Sequence, residues 1–316
     1  KRPLSAEISV HRTFLSNRDH ASAATALWTE MSAVSVRIPF TSANLGPGFD
    51  LFGLALNKFA RFEFTLLPPN EYRFSDADGP LRMPLEHNYV HRAYRFVLDR
   101  AGFSDYPGLQ SYFELDLPSG RGFGSSAVAY LAGVRAACLA LRSLERELPL
   151  DEELSLLVEL EGHSDNIIAA RLGGFVFIPG GLPLSARTII QKQVPPDLRC
   201  LLIFPGYTVS TRESRSVLPA HYAITPVLQT MSGALLWLEY LNTGKAEYLR
   251  AALGLDCLHE SYRARNIPHF QNFRQICETL GCLGLTISGS GPGLIAFCQE
   301  GDQTRILSDL ERPARE

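Results

Sequence analysis

The apolar positions change period repeatedly along the chain, and each change marks an element. Val34, Val36 and Ile38 alternate with Ser35 and Arg37, which predicts a half-buried strand ending at Pro39 and running into the turn Thr41–Asp50. Arg61–Leu66 alternates in the same way. From Asn88, a suitable N-cap, Val90, Ala93, Tyr94, Val97 and Leu98 recur at helical spacing until Gly102. Tyr112–Leu117 predicts a strand that breaks at Pro118. A glycine loop follows, and Ala127, Tyr130, Leu131, Val134 and Ala137 then open a long helix. Asp151 is placed to cap the next helix, with Leu154, Leu157 and Val158 on one face. Asp165–Leu172 predicts a short helix closed by Gly173 and Gly174, and Phe175–Ile178 a strand.

The Pro- and Gly-rich stretch Pro179–Pro196 is the best break between two domains. Beyond it, Leu198–Phe204 is a strand. Thr225-Pro226 starts a helix with the apolar stripe Val227, Met231, Ala234, Leu235 and Leu238. Phe270–Leu280 is helical, and Leu285–Ile287 and Leu294–Phe297 are strands around a second glycine turn, Ser288–Gly293. These elements give an α+β chain with a first domain over 31–190 and a second over 191–316. Residues 1–30 show little apolar period and read as an extension outside the fold. Met31 reads as a biological start; a transit peptide fits less well, because Glu7, Asp19 and Glu30 sit among the Arg and Ser residues. Since the chain opens on Lys1, the sequence is expected to be incomplete there.

Composition narrows the function classes. An apolar share of 46% with 20% charged residues is globular, not disordered. A formal net charge of -3 gives no basic footprint for nucleic acid or anionic lipid. No apolar run approaches the ~18 residues that cross a bilayer. The cysteines are scattered without a C-x-x-C pair, which suggests a reducing compartment and a cytoplasmic protein.

The chemistry concentrates in loops. Pro118-Ser-Gly-Arg-Gly-Phe-Gly-Ser-Ser-Ala127 puts three glycines and two hydroxyls directly before a helix. Glycines let backbone N–H groups approach a ligand, and the helix N-terminus adds partial positive charge, a combination suited to phosphate. The serine hydroxyls can reach a Mg²⁺ bridging the phosphates. No Lys follows the glycines, so this is no P-loop, and the G-x-G-x-G spacing is not the dinucleotide fingerprint. Thr41-Ser-Ala-Asn-Leu-Gly-Pro-Gly-Phe-Asp50 ends a strand with small polar groups and a carboxylate. Glu161-Gly-His-Ser-Asp-Asn166 packs carboxylates, an imidazole and an amide into six residues, although Asp165 and Asn166 could equally be caps. His87 and His91 lack a third metal ligand. Arginine forks suit carboxylates, which makes Arg215 and Arg263 candidates for an anionic substrate.

Together, Pro39–Asp50, Pro118–Ala127 and Ser288–Pro292 resemble, in order, three motifs of the GHMP kinases. The blocks Ala43–Asp50, Glu161–Asn166, Ser210–Arg215 with Val217–Pro219, and Tyr262-Arg263 before Ile267-Pro268 are similar to its homoserine kinase branch. The resemblance spans about Val34 to Phe297. It implies an N-terminal ribosomal-protein-S5-like domain and a C-terminal ferredoxin-like α/β sandwich. It also implies ATP-dependent phosphorylation of L-homoserine with Mg²⁺, on the route to threonine, and a possible homodimer. Another small alcohol, such as mevalonate or a sugar, and a non-catalytic nucleotide-binding regulator stay open as alternatives.

Residue by residue, the resemblance implies that Asn44, Asp50, His163, Asn166, Thr211, Arg215 and Arg263 surround homoserine. Pro118, Ser119, Gly120, Arg121, Gly122, Phe123, Gly124, Ser125 and Ser126, with Gly289, Ser290 and Gly291, would wrap the triphosphate, and Asn88 would stand near the nucleoside. Ser126 and Glu161 would meet the metal. Asn166 would polarise the hydroxyl, with Asp165 the second candidate. Phe123 departs from the usual Leu, Ser164 from Pro, and Gly293 from Thr or Ser. A terminal strand common in the family is expected to be missing after Phe297.

Overall fold

The computed structural model describes residues 7–12 and 34–315. β1 (Glu7–Arg12) is first in the chain but pairs in the second domain. The first domain comprises β2 (Val34–Ala43), β3 (Phe52–Leu67), β4 (Tyr72–Asp76), β5 (Gly79–Pro80), α1 (Tyr89–Arg100), β6 (Gly108–Leu115), α2 (Ser125–Ser143), α3 (Leu150–Glu161), α4 (Asp165–Leu172), β7 (Phe175–Phe177) and β8 (Ile190–Lys192). The second continues with β9 (Leu198–Phe204), α5 (Thr211–Ser216), α6 (Ile224–Thr243), α7 (Ala246–Ala252), α8 (Glu260–Arg263), α9 (Phe270–Thr279), β10 (Gly284–Ile287), β11 (Leu294–Gln299) and α10 (Gln303–Arg315).

The spine of the first sheet is β3. Its 16 residues pair with β2 along one edge and with β6 and then β7 along the other. Pro39 has no N–H for the ladder, yet the strand does not end there: a register shift between Pro39 and Thr41 carries β2 on to Ala43. That extension delivers Thr41 and Ser42, both fully buried, to the cleft. Two helix starts also differ from expectation. α3 begins at Leu150 after Pro149, and Asp151 lies in its first turn, where the carboxylate accepts from Ala186 N at 2.7 Å. α2 begins at Ser125, with Gly124 at the N-cap, so both serines belong to the first helical turn.

The second sheet is antiparallel, in the order β1-β9-β11-β10. β9 is buried on both faces, which explains its unbroken apolar run. Leu198, Cys200, Leu202 and Phe204 face a core shared with the first domain. Leu201 and Ile203 face a second core, with Ile287, Phe270, Cys277 and Ile306. The shared core runs from α2 and α4 through Trp237 to Phe297, so one continuous packing backs the cleft between the domains.

Three expectations are corrected. Residues 7–12 do not stand outside the fold; their backbone pairs with Arg199–Phe204 as an edge strand beside β9. β8 pairs with β7, so the first sheet extends past residue 190. On α6 the buried face is Thr230, Gly233, Trp237 and Tyr240, whereas Met231 and Leu235 are exposed. The large indole and the missing side chain at Gly233, where a Cβ would meet Pro47 at 2.8 Å, decide which face turns inward.

Candidate active site

Three loops meet at the domain junction through backbone bonds. Thr41 N donates to Phe123 O at 3.2 Å, Gly289 N to Ala43 O at 3.1 Å, and Gly293 N to Arg121 O at 3.0 Å. The buried Ser288 hydroxyl lies 2.8 Å from Ser42 Oγ and donates to Gly122 O at 2.7 Å. Between the loops opens a cavity of about 410 Å³. Ser119, Gly120, Gly122, Gly124, Ser125 and Ser126 line one wall, and Gly289, Ser290, Gly291 and Thr211 another.

In the central loop Gly120, Gly122 and Gly124 all have positive φ, between 71° and 84°. This backbone suits glycine, and it leads straight into the N-terminus of the 19-residue helix α2. Two of these positions are also crowded. A Cβ on Gly122 would lie 2.6 Å from Ser288 O, and one on Gly124 would lie 2.1 Å from Thr41 Oγ1 and 3.1 Å from Asn166 Oδ1. Gly124→Ala is therefore expected to push the Thr41–Asn166 pair aside, destabilising the protein by about 2–4 kcal/mol and abolishing most turnover. Thermal melts beside a steady-state assay check both.

Asn166 is buried in the first turn of α4. Its Oδ1 accepts from Thr41 Oγ1 at 2.8 Å and its N–H donates to Asp165 Oδ1 at 2.7 Å. The Nδ2 group makes only a long 3.4 Å bond to that same oxygen. On the far side, Ser126 Oγ donates to Glu161 Oε1 at 2.6 Å, while Glu161 Oε2 and Ser125 Oγ are buried without partners. Burial pushes the Glu161 pKa up. His163 stands between two acids, 3.9 Å from Glu161 and 3.3 Å from Asp165, and the Asp165 carboxylate raises its pKa.

The opposite end of the cavity holds matched charges. Arg215 makes a bidentate pair with Asp50 at 2.7 and 3.0 Å, and the pair is part-exposed. Arg263 is buried; Nε donates to Ser214 O at 3.3 Å and Nη1 to Gly289 O at 3.0 Å. The loop before Asp50 is strained, with positive φ at Asn44, Leu45 and Asp50. Asn44 clamps it, accepting from Asp50 N at 2.9 Å and donating to Gly289 O at 2.8 Å.

Residues 88–174 match the pattern of the GHMP kinases N terminal domain, and residues 237–315 that of the GHMP kinases C terminal. A homoserine kinase of Clostridium beijerinckii is 34% identical over 272 residues, covering 85% of this chain and 88% of its own length. The chain belongs to the GHMP kinases. A second homoserine kinase, from Trichormus variabilis, is 33% identical over 288 residues, 90% of this kinase and 93% of the relative. Among solved structures, a homoserine kinase from Cytophaga hutchinsonii superimposes with a TM-score of 0.77 at 24% identity, covering 92% of this chain and 93% of that one. A mevalonate kinase from Methanococcus jannaschii reaches 0.66 at 15% identity, covering 89% and 95%. At those identities the structures speak for the two-domain fold alone.

Most expected site residues of the kinase meet in the cavity: Asn44, Asp50, Glu161, His163, Asp165, Asn166, Thr211, Arg215 and Arg263 line it with the glycine loops. Four do not line it. Asn88 is buried, its side chain capping α1 by accepting from His91 N at 3.1 Å, and Tyr89 stands at the cavity instead. Pro118 is absent from the lining; Arg121 donates outward to Tyr207 O; and Phe123 is fully buried, its ring 4.9 Å from Phe204. A Cβ on Gly293 would lie 2.1 Å from the Arg121 carbonyl oxygen and 2.5 Å from the Phe123 ring, so the close approach of backbone and ring leaves room only for glycine.

Thr41, Ser288, Asp256, His259 and Glu260 support the site without having been singled out as site residues. The last three cluster behind Arg263, and the only sequence signal for them is polar density just ahead of Tyr262-Arg263. Burial and neighbouring Asp256 push the Glu260 pKa up to about 7 from 4.5. Between those values the folded kinase keeps a proton that the unfolded chain has released. This contribution to stability is complete below pH 4.5 and is lost as pH rises toward 7. Glu260→Gln is expected to flatten that fall, by up to about 1.4 kcal/mol per pH unit, in denaturant titrations between pH 5 and 7.

Proposed function

We propose that this kinase transfers the γ-phosphoryl group of ATP to the side-chain hydroxyl of L-homoserine, giving O-phospho-L-homoserine and ADP. The observation that carries the reading is the charge pattern opposite the glycine loop. Arg215, Arg263 and Asp50 offer two cations and one anion, which suits an amino acid: the arginines hold its carboxylate and Asp50 its ammonium. Mevalonate has a carboxylate but no ammonium, and a sugar has neither.

The glycine loop and the α2 N-terminus cradle the triphosphate with backbone donors. The partnerless Glu161 Oε2 and Ser125 Oγ fit a divalent cation, and Ser126 and Glu161 would hold Mg²⁺. Such an ion neutralises developing phosphate charge when bound. Phosphoryl transfer depends mainly on positioning and charge, so a strong base is not required. Asn166 Nδ2, left almost free by the Thr41 bond, orients the hydroxyl. Asp165 is the second candidate, but its Oδ1 already accepts from the Asn166 N–H and faces His163.

A coupled ADP assay over L-homoserine, L-serine, mevalonate and galactose tests this. ADP release that depends on homoserine, with a phosphate ester in the product, is the expected result. Release with mevalonate or galactose, or with no acceptor preference, overturns it.

A further inference from the structure

Behind Arg263, away from the cavity, a fully buried imidazole is wired between two loops of the site. His259 is 0% exposed. Its Nε2 lies 2.9 Å from Gly46 O, and its Nδ1 lies 3.4 Å from Arg263 Nη1. A carbonyl oxygen only accepts, so Nε2 carries the hydrogen and donates. A guanidinium only donates, so Nδ1 presents its lone pair. The two contacts are compatible only with the neutral Nε2–H tautomer.

The surroundings hold that tautomer. Asp256 lies 3.8 Å from Nε2, but its carboxylate is taken up by the N–H groups of Leu258, His259 and Glu260 at 2.7–3.2 Å. Desolvation keeps the His259 pKa below its ordinary value. Phe49 stacks on the imidazole at 5.2 Å and places its ring 5.1 Å under the Arg263 guanidinium. Arg263 is thus fixed at Nε by Ser214 O and at Nη1 by Gly289 O and His259, and the residue so held lines the cavity.

We propose that His259 is a positioning residue for the acceptor substrate. Its Nδ1 lone pair sets the guanidinium plane of Arg263, while its Nε2–H ties that arginine to the Asn44–Asp50 loop through Gly46. The inference rests on the carboxylate role given to Arg263. It adds a residue that never touches substrate yet governs recognition of the amino-acid end.

Two substitutions separate the two bonds. In His259→Gln the amide N–H₂ reaches the Nε2 position and keeps the Gly46 bond but loses the acceptor for Arg263. In His259→Asn the amide oxygen takes the Nδ1 position and keeps that acceptor. The Gln variant is expected to raise KM for homoserine about tenfold, the worth of one charge-assisted hydrogen bond, with KM for ATP within about twofold. The Asn variant, which keeps the acceptor for Arg263 but loses the Gly46 bond, is expected to raise KM for homoserine clearly less than the Gln variant does, although it melts lower. Equal KM changes in the two variants, or changes that follow Tm alone, overturn the proposal. In the intact kinase, ¹⁵N–¹H correlation of the histidine rings at pH 7 is expected to show His259 as the Nε2–H tautomer, and an Nδ1–H tautomer also overturns it. Arg263→Lys tests the underlying reading separately. An unchanged KM for homoserine there removes the carboxylate role, whereas a raised KM beside a normal His259→Gln removes only the role of His259.

Discussion

Replacing Asn166 with alanine is expected to lower kcat by about 10²–10³-fold while the Kd for ATP stays within about twofold. The split follows from where the side chain stands. Asn166 sits on the first turn of α4, beside the glycine loop, with its oxygen taken by Thr41 and its Nδ2 making only a 3.4 Å bond to Asp165. A group that orients the attacking hydroxyl acts in the transition state, whereas in the proposed reading the nucleotide is held mainly by the backbone of Gly120–Ser126 and the helix end. Rapid-quench turnover beside equilibrium binding of a non-hydrolysable ATP analogue separates the two, and an unchanged kcat removes Asn166 from the chemistry. Thr41→Val is expected to show a weaker form of the same effect, because the amide then loses the hydroxyl that orients it.

Arg215→Ala is expected to raise KM for homoserine by about 10–100-fold, the worth of losing a charge-assisted hydrogen bond or two, with little change in KM for ATP. In the structure Arg215 is bidentate to Asp50. In the proposed reading, an incoming amino acid replaces that internal pair with two external ones, carboxylate to arginine and ammonium to aspartate. Removing the guanidinium leaves Asp50 without its counter-ion and the substrate carboxylate with Arg263 alone. The carboxamide of homoserine gives the matching control. It is expected to be a poor substrate of the unaltered kinase and to lose little further in the variant, since the interaction it lacks is already gone. A normal KM for homoserine in Arg215→Ala would argue against the carboxylate role.

What could be read from the sequence depended on how local each signal was. Helix α4 and strand β9 have the bounds that apolar period and flanking glycines predict, because their limits are set by neighbouring residues. The inward face of α6 could not be read this way. Its apolar stripe pointed to Met231 and Leu235, but Trp237 and Gly233 turn inward because Pro47, Phe175 and Phe297 offer the matching surface from distant parts of the chain. The candidate site behaved alike. Glycines and charged residues in short motifs announced the lining, whereas Asn88 reads as either ligand contact or cap until the capping bond to His91 is seen. His259 was illegible for the same reason: its partners Gly46 and Arg263 come from two loops that only the fold brings together.

Trp237 is also an optical reporter of the acceptor loop. Its indole is fully buried between Phe175 and Phe297, and its Nε1–H donates at 3.0 Å to the carbonyl of Leu45, inside the strained turn that presents Asn44 and Asp50. With Trp28→Phe as the background, the sole remaining tryptophan emits from that position. A shift of the Leu45 carbonyl as substrate enters would alter both the hydrogen bond and the emission, so acceptor binding could be followed by intrinsic fluorescence without ATP, label or turnover.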